Sequence, residues 1–300
     1  MLKNNLFNLF NPIIYMKYNQ FCQVFNETIF EKSKADLLEK VSKYPSRYIG
    51  IFRPTKPKAK ILQNLLQSHE IRFGDAFETI IEQYAELAGF INLPKDIKTS
   101  KNENLNLDQF FKKDGIYYFI EQKVRDDHDS SKKRGQIQNF EKKLSILVKL
   151  YGEKNVKGYF YFIDPDLVKN KKYYVEELHK MSTAYGVELH VCYGEALFTH
   201  LKMNAEWKEI LNYLIEWKKD IPDLPEINFD IDAANSFDEI KDLSPAVFRK
   251  LFSNDAIYNE IVLTIFPEKK TLNLLLAYFK SLKNSSKIYQ TLHDELKKRI

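Results

Sequence analysis

The chain has 300 residues, 44% of them apolar and 29% charged, which is typical of a globular protein with one large domain or two ordinary ones. Lys and Arg outnumber Asp and Glu by 46 to 41, so the net charge of +5 permits an anionic partner without requiring one. Two cysteines argue against a disulfide framework and favour a reducing, cytoplasmic compartment. An uninterrupted apolar run of about 18 residues is lacking, so we expect no membrane span.

The N-terminal part predicts a helix at 34–44, followed by a basic segment at 43–60. This segment carries six Lys or Arg residues, three prolines and no acidic residue, which indicates an extended arm. It is either a solvated linker or a site of phosphate contact, and aromatic residues placed among the cations favour the second reading. Whether 1–15 are a poorly ordered extension, with Met16 as the true start, stays open.

The central part begins with a predicted helix at 68–90, whose apolar residues recur at three- and four-residue steps. A β-hairpin is predicted at 104–124, with KKDG as its turn because Asp-Gly is a strong turn signal. A polar loop of mixed charge follows at 123–136. The elements expected after it are helix 137–152, strand 155–165, helix 171–186, strand 187–193 and helix 204–219.

An acidic, proline-containing stretch at 220–232 indicates a boundary, and the pattern beyond it is helical. We therefore expect a helical and basic arm at 1–66, a core at 67–220 and a C-terminal helical region at 221–300. The order of helices and strands predicts an α/β fold, with a mixed sheet flanked by helices and helical additions at both ends.

The hairpin carries three charged residues next to a core. Side chains alternate faces along a strand, so Glu121 and Lys123 point the same way. A symmetric hairpin would place Asp108 opposite Phe119, with Glu121 as its diagonal neighbour on the same face. Two carboxylates at this spacing suit Mg²⁺, which one or two carboxylates and a substrate phosphate can hold. The alternative is a solvent-facing ion pair on an edge strand.

These residues, in the pattern L-D-x12-E-Q-K at 107–123, resemble the signature of the PD-(D/E)XK nuclease superfamily, and the flanking elements resemble those of a type II restriction endonuclease. The pattern departs from the signature at Leu107, which replaces the proline. The resemblance implies a restriction-endonuclease-like core with Asp108, Glu121 and the carbonyl of Gln122 as Mg²⁺ ligands. It also implies that Lys123 orients the attacking water.

Glu78, on the preceding helix, matches an additional acidic position of that superfamily, with Asp75 and Glu82 as competitors. The reaction implied is hydrolysis of double-stranded DNA at a short sequence, leaving 5′-phosphate and 3′-hydroxyl ends. The partners implied are double-stranded DNA, a second copy in a homodimer that cuts both strands, and a cognate DNA methyltransferase of the same system.

Residues outside the hairpin are expected to bind the DNA. They lie in the basic segment, at the start of the helix 68–90 and in the loop 123–136, where Gly135 and Gln136 would open a helix whose amides can hold a phosphate. The expected DNA-binding residues are Arg53, Lys56, Lys58, Gln67, His69, Arg72, Arg125, Lys132, Lys133, Arg134 and Gln136.

Two other functions remain open on the sequence. A structure-specific or repair nuclease of the same fold would cut without a short recognition sequence. A non-catalytic DNA-binding protein would retain affinity for DNA and show no Mg²⁺-dependent cleavage.

Overall fold

A computed structural model describes residues 16–98, 104–284 and 286–300 of the chain, so the expectation about 1–15 lies outside the described residues. The α-helices within these ranges are α1 (Tyr18–Phe30), α2 (Ser33–Lys43), α3 (Pro57–Leu87), α4 (Ser130–Tyr151), α5 (Lys171–Tyr185), α6 (Glu195–Leu201), α7 (Asn204–Lys219), α8 (Ala233–Ile240), α9 (Pro245–Ser253), α10 (Asp255–Ile257), α11 (Leu263–Ile265), α12 (Lys270–Leu282) and α13 (Lys287–Lys297). The strands are β1 (Ile91–Asn92), β2 (Asp96–Lys98), β3 (Asn104–Asn106), β4 (Gln109–Lys113), β5 (Ile116–Lys123), β6 (Val156–Phe162) and β7 (Glu188–Tyr193).

Five strands form one mixed sheet in the order β1-β4-β5-β6-β7. The pairs β1/β4 and β4/β5 are antiparallel, whereas β5/β6 and β6/β7 are parallel. Helices α4 and α5 make the crossovers that parallel neighbours require. The predicted α/β class, with a mixed sheet flanked by helices, is therefore confirmed.

The hairpin of β4 and β5 turns through two residues, because Lys113 pairs with Ile116. Both turn residues, Asp114 and Gly115, have positive φ, at 50° and 81°. A two-residue turn of this kind matches the right-handed twist of its strands and favours Asp-Gly. The predicted turn is confirmed, and it fixes the register of every pair behind it.

That register corrects one expectation about the site. Phe110 pairs with Phe119, so Asp108, one residue before β4, comes level with Glu121 and not with Phe119. The first arm of the predicted hairpin is also interrupted, because β3 pairs with β2 in a separate two-stranded sheet. Only 109–123 form the hairpin, and Asp108 lies at the break between the two sheets.

Two helices begin earlier than predicted from the sequence. Helix α3 starts at Pro57, so the basic segment 43–60 is not an extended arm throughout. Helix α4 starts at Ser130, where Asp129 caps it by accepting a 2.8 Å hydrogen bond from the Lys132 amide, and not at Gly135. The first turn of α4 is polar and gives no apolar periodicity, whereas in α3 the buried Ile61 and Leu65 continue the helical spacing upstream of residue 68.

Helix α4 packs closely on the sheet at Gly158 of β6. A Cβ atom at this position would lie 2.6 Å from Leu189 Cδ2 and 3.3 Å from Phe140 Cζ. Phe140 also stacks on Phe119, with ring centroids 4.7 Å apart. The missing side chain thus lets α4 approach the strands that carry the predicted site.

The chain divides into two compact units, which differ from the three segments 1–66, 67–220 and 221–300. One unit contains residues 16–25 and 73–220, with the sheet and an aromatic core that includes Phe160 and Tyr174. The other contains 26–72 and 221–300 and has a helical core of its own. Among the described residues, no helix has the length and apolar character needed to cross a membrane.

Candidate active site

The three charged hairpin residues meet in the structure. Lys123 Nζ lies 3.0 Å from Asp108 Oδ2 and 2.9 Å from Glu121 Oε1. Glu121 is almost fully buried, with 3% of its side chain exposed, whereas Asp108 and Lys123 keep some contact with solvent. The register that brings Asp108 level with Glu121 creates this cluster.

A backbone group completes the set of oxygens. Lys123 Nζ also donates a 2.6 Å hydrogen bond to the carbonyl of Gln122. Three oxygens, from Asp108, Glu121 and Gln122, therefore converge on one point, which the ammonium group of Lys123 occupies. The amide of Gln122 donates a 2.8 Å hydrogen bond to Asp108 Oδ2 and fixes that carboxylate against β5.

A second lysine, which the sequence reasoning missed, lies on the other side of Glu121. Lys143 of α4 pairs with Glu121 Oε2 and lies 3.7 Å from Asp108 Oδ1, with 5% of its side chain exposed. Helix α4 brings it there because Lys143 shares the buried face of Phe140 and Leu147. A lysine inside an apolar stripe is a signal visible in the sequence, since a buried charge needs a partner.

The charges of this cluster balance, with two carboxylates against two ammonium groups. Burial alone would lower the pKa of Lys123, but the Glu121 and Asp108 carboxylates outweigh burial, and the pKa is raised above its ordinary value. Lys123 therefore stays protonated at neutral pH. It can donate hydrogen bonds and stabilise negative charge, and it is unsuited to accept a proton.

Glu78 lies on α3, near the cluster and outside the convergent set. Burial, followed by the negative charge of Asp108, raises the pKa of Glu78 to about 7, against the opposing charge of Lys95. The Lys95 ammonium lies 3.3 Å from Glu78 Oε2 and 2.9 Å from Glu82 Oε1. The Glu78 carboxyl therefore interacts with Asp108 of the cluster, and its proton exchanges near neutral pH.

Buried amides hold the strand from its opposite face. Gln122 Nε2 donates a 3.0 Å hydrogen bond to the carbonyl of Gly74 in α3, and Gln122 Oε1 accepts a 2.9 Å bond from Gln109 Nε2. Because the side chain of Gln122 is fixed, its backbone carbonyl is fixed as well. The carbonyl oxygen that accepts the hydrogen bond from Lys123 is therefore preorganised.

The three convergent oxygens fit the coordination of a hard divalent cation. Carboxylate and carbonyl oxygens are the ligands that Mg²⁺ prefers, at about 2.1 Å, and the ion retains waters. Among the described residues, no group of three or more His, Cys, Asp or Glu side chains is placed to hold a metal ion. A metal here would therefore rest on two carboxylates and one carbonyl, as the hairpin pattern predicts.

The residues predicted to bind DNA fall into both compact units. In the unit formed by 26–72 and 221–300, Arg53, Lys56, Lys58 and Gln67 are exposed. His69 is half-buried and packs edge-on against an aromatic ring, and burial lowers its pKa.

Arg72 is engaged in holding the fold of its own unit. It donates hydrogen bonds of 3.0 and 3.1 Å to the carbonyls of Ile29 and Glu31 and pairs with Asp36. A contact of Arg72 with a base would require these bonds to break.

The remaining candidates lie beside the cluster, in the unit that contains the sheet. Lys132 and Arg134 are exposed on the first turns of α4, and Arg125 is half-buried. Lys133 Nζ donates to Asn170 at 3.2 Å, and Gln136 accepts a 2.7 Å bond from a tyrosine hydroxyl. The exposed pair is therefore better placed to meet a phosphate than Lys133 or Gln136.

The loop between β5 and α4 is held by a buried acid, within the segment that the sequence describes only as a polar loop of mixed charge. Asp126 is fully buried and accepts hydrogen bonds from the amide and side chain of Asn170, at 2.7 and 2.8 Å. The hydroxyl of Tyr193 donates a third bond at 2.9 Å. The loop therefore has a fixed course beyond Lys123.

The mixed five-stranded sheet flanked by helices is that of a restriction-endonuclease-like fold. A family model described as "Type II restriction endonuclease, HinfI" matches residues 17–93 and 84–218, which span more than half of the chain. The chain therefore belongs to the HinfI family of type II restriction endonucleases. No curated protein and no solved structure matches it.

Proposed function

We propose that the protein is a Mg²⁺-dependent endonuclease that hydrolyses phosphodiester bonds of double-stranded DNA at a short specific sequence. The observation that carries the proposal is the convergence of three oxygens, from Asp108, Glu121 and Gln122, on one point at the end of the hairpin. Membership of a restriction endonuclease family supports DNA as the substrate.

Asp108, Glu121 and the carbonyl of Gln122 would hold the ion in the place of the Lys123 ammonium group. The oxygens now lie 2.6–3.0 Å from Lys123 Nζ, so each would close by less than about 1 Å to reach Mg²⁺ distances. When bound, Mg²⁺ polarises a phosphoryl oxygen and acidifies a water molecule.

Lys123, displaced from the oxygens, supplies a protonated donor beside the reacting phosphate. Its ammonium group would orient the attacking water and stabilise the developing negative charge. The products would carry 5′-phosphate and 3′-hydroxyl ends.

Lys143 and Glu78 support the reaction from outside the convergent oxygens. Lys143 holds Glu121 through Oε2, which leaves Oε1 directed to the convergent point. Glu78, whose pKa in the metal-free protein is raised to about 7 by burial and by the charge of Asp108, would be an additional acidic group beside the ligand Asp108.

The assembly and cellular setting complete the proposal. One cluster cuts one strand, so a homodimer with two-fold symmetry would place a second cluster on the complementary strand. The protein would act in the cytoplasm, where a cognate methyltransferase protects the host sequence.

Digestion of plasmid DNA tests the proposal. The wild-type protein with Mg²⁺ should give discrete fragments, and Lys123→Ala should give none while retaining affinity for a labelled duplex. The matched control is Lys149→Ala, which should cut normally. It removes an exposed lysine of α4 that is far along the chain from the hairpin.

Each failure of this assay has a distinct meaning. A smear of products instead of bands would contradict sequence specificity and favour a structure-specific nuclease. Binding without cleavage, in Mg²⁺ and in Mn²⁺, would contradict the catalytic role of the cluster and favour a DNA-binding protein.

A further inference from the structure

An apolar tip protrudes from the basic segment between α2 and α3. Ile51 and Phe52 are 92% and 95% exposed, the highest values among the exposed large apolar side chains of the described residues. They occupy the corner of a turn that the Arg53 amide closes with a 3.2 Å hydrogen bond to the carbonyl of Gly50. Contiguous exposed apolar surface rimmed by polar residues is typical of an interaction site, and here two adjacent apolar side chains lie in a basic segment.

The chain is anchored on both sides of this tip. Tyr48, two residues before the turn, is buried in the helical core of its unit, and Pro57 begins α3 soon after it. Gly50 has a φ of 138°, a conformation that residues with a side chain rarely adopt, so the chain reversal before Ile51 depends on glycine. Phe52 is therefore held outward by anchored ends.

The surroundings of the tip are basic. Segment 43–60 contains no Asp or Glu, and Arg53, Lys56 and Lys58 near the tip are exposed. An apolar side chain flanked by cations fits a polyanion whose interior is apolar, which describes the stacked bases of duplex DNA between two phosphate backbones. An anionic membrane shares part of this chemistry, but membership of a nuclease family favours DNA.

We propose that Phe52, supported by Ile51, is a wedge that inserts between base pairs of the bound duplex while Arg53, Lys56 and Lys58 hold the phosphates. This inference rests on the proposed function for its substrate and adds a site in the other compact unit. Insertion of apolar side chains into base steps unstacks and kinks DNA. The wedge would let the protein test how easily a sequence deforms.

Fluorescence of a tryptophan introduced at the tip tests insertion, read as the difference from the wild-type protein, whose own Trp207 and Trp217 are buried. In Phe52→Trp, the added tryptophan should be readily quenched by acrylamide in the free protein and protected when a mixed-sequence duplex of about 40 base pairs is added in EDTA, where binding needs no cleavage. Ile231→Trp is the matched control, since Ile231 is 65% exposed in the same unit between two aspartates. Its quenching should not change with DNA.

The affinity for DNA and its salt dependence distinguish the contribution of Phe52 from that of the neighbouring cations. Phe52→Ala should weaken duplex binding about tenfold with no change in the salt slope, because Phe52 neutralises no phosphate. Lys56→Ala should reduce the slope by about 0.9, and, combined with Phe52→Trp, should leave the protection from acrylamide intact.

Several results would overturn the proposal. Wild-type affinity in Phe52→Ala, or equal quenching of the Phe52→Trp protein with and without DNA, would show that no insertion occurs. Protection by anionic phosphatidylserine vesicles and not by DNA would assign the tip to a membrane. Failure of the wild-type protein to cut plasmid DNA would refute the nuclease proposal, and it would leave these binding results unaffected.

Discussion

Replacement of Lys143 by methionine removes the ammonium group and keeps an unbranched apolar chain as far as the ε position. Lys143 and Glu121 are 5% and 3% exposed, so the change leaves Glu121 Oε2 buried without this partner. Breaking a buried ion pair from one side costs about 3–5 kcal/mol in general. Because Glu121 keeps Lys123 at 2.9 Å, we expect about 2–3 kcal/mol here.

Urea unfolding in EDTA measures this loss, with Lys149→Met as an exposed control on the same helix that should cost less than about 1 kcal/mol. The cluster becomes net negative in Lys143→Met, so Mg²⁺ should raise its stability more than that of the wild type. A loss below about 1 kcal/mol, with equal stabilisation of both proteins by Mg²⁺, would refute the claim that Lys143 neutralises Glu121.

Three further changes probe the surroundings of the cluster. Glu78→Gln should flatten the pH dependence of stability. The pKa of Glu78 is raised to about 7 in the fold, so its proton stabilises the folded state. The wild-type protein in EDTA should therefore lose at most about 3 kcal/mol of stability as the pH rises through that value. Gln122→Leu removes the donor to Gly74 and should lower the unfolding free energy by about 1–3 kcal/mol and slow cleavage. Asp126→Ala leaves the donors of Asn170 unpaired and should destabilise by about 3 kcal/mol in thermal unfolding.

The outcomes against these three expectations are equally definite. A Glu78→Gln protein with the wild-type pH profile would mean that this carboxyl titrates normally in the fold. Wild-type cleavage by Gln122→Leu would mean that the buried amides do not position the carbonyl. Unchanged stability in Asp126→Ala would show that the loop after β5 needs no anchor.

Local chemistry made much of the hairpin predictable. Asp114-Gly115 encodes a two-residue turn, and alternating apolar residues specify strands on either side, so the meeting of Glu121 and Lys123 follows from sequence. The position of Asp108 does not, because it depends on the register and on the break after β3, which tertiary pairing sets.

Other parts of the site depend on packing between distant segments. Helix α4 reaches the sheet at Gly158, and only that approach brings Lys143 to Glu121. Arg72 illustrates the same limit for DNA contacts, since an arginine at a helix surface is indistinguishable in sequence from one that binds the carbonyls of Ile29 and Glu31. The sequence predicts which side chains are charged, and the fold decides which charges they meet.

The position of a bound divalent ion tests the central claim most directly. Crystals of the protein grown with Mn²⁺, which accepts the same oxygen ligands as Mg²⁺, can be measured for anomalous scattering. We expect one peak about 2.2 Å from oxygens of Asp108, Glu121 and the Gln122 carbonyl, with the Lys123 ammonium moved aside. A peak elsewhere, with Lys123 still bonded to all three oxygens, would contradict the assignment of this cluster as the metal site.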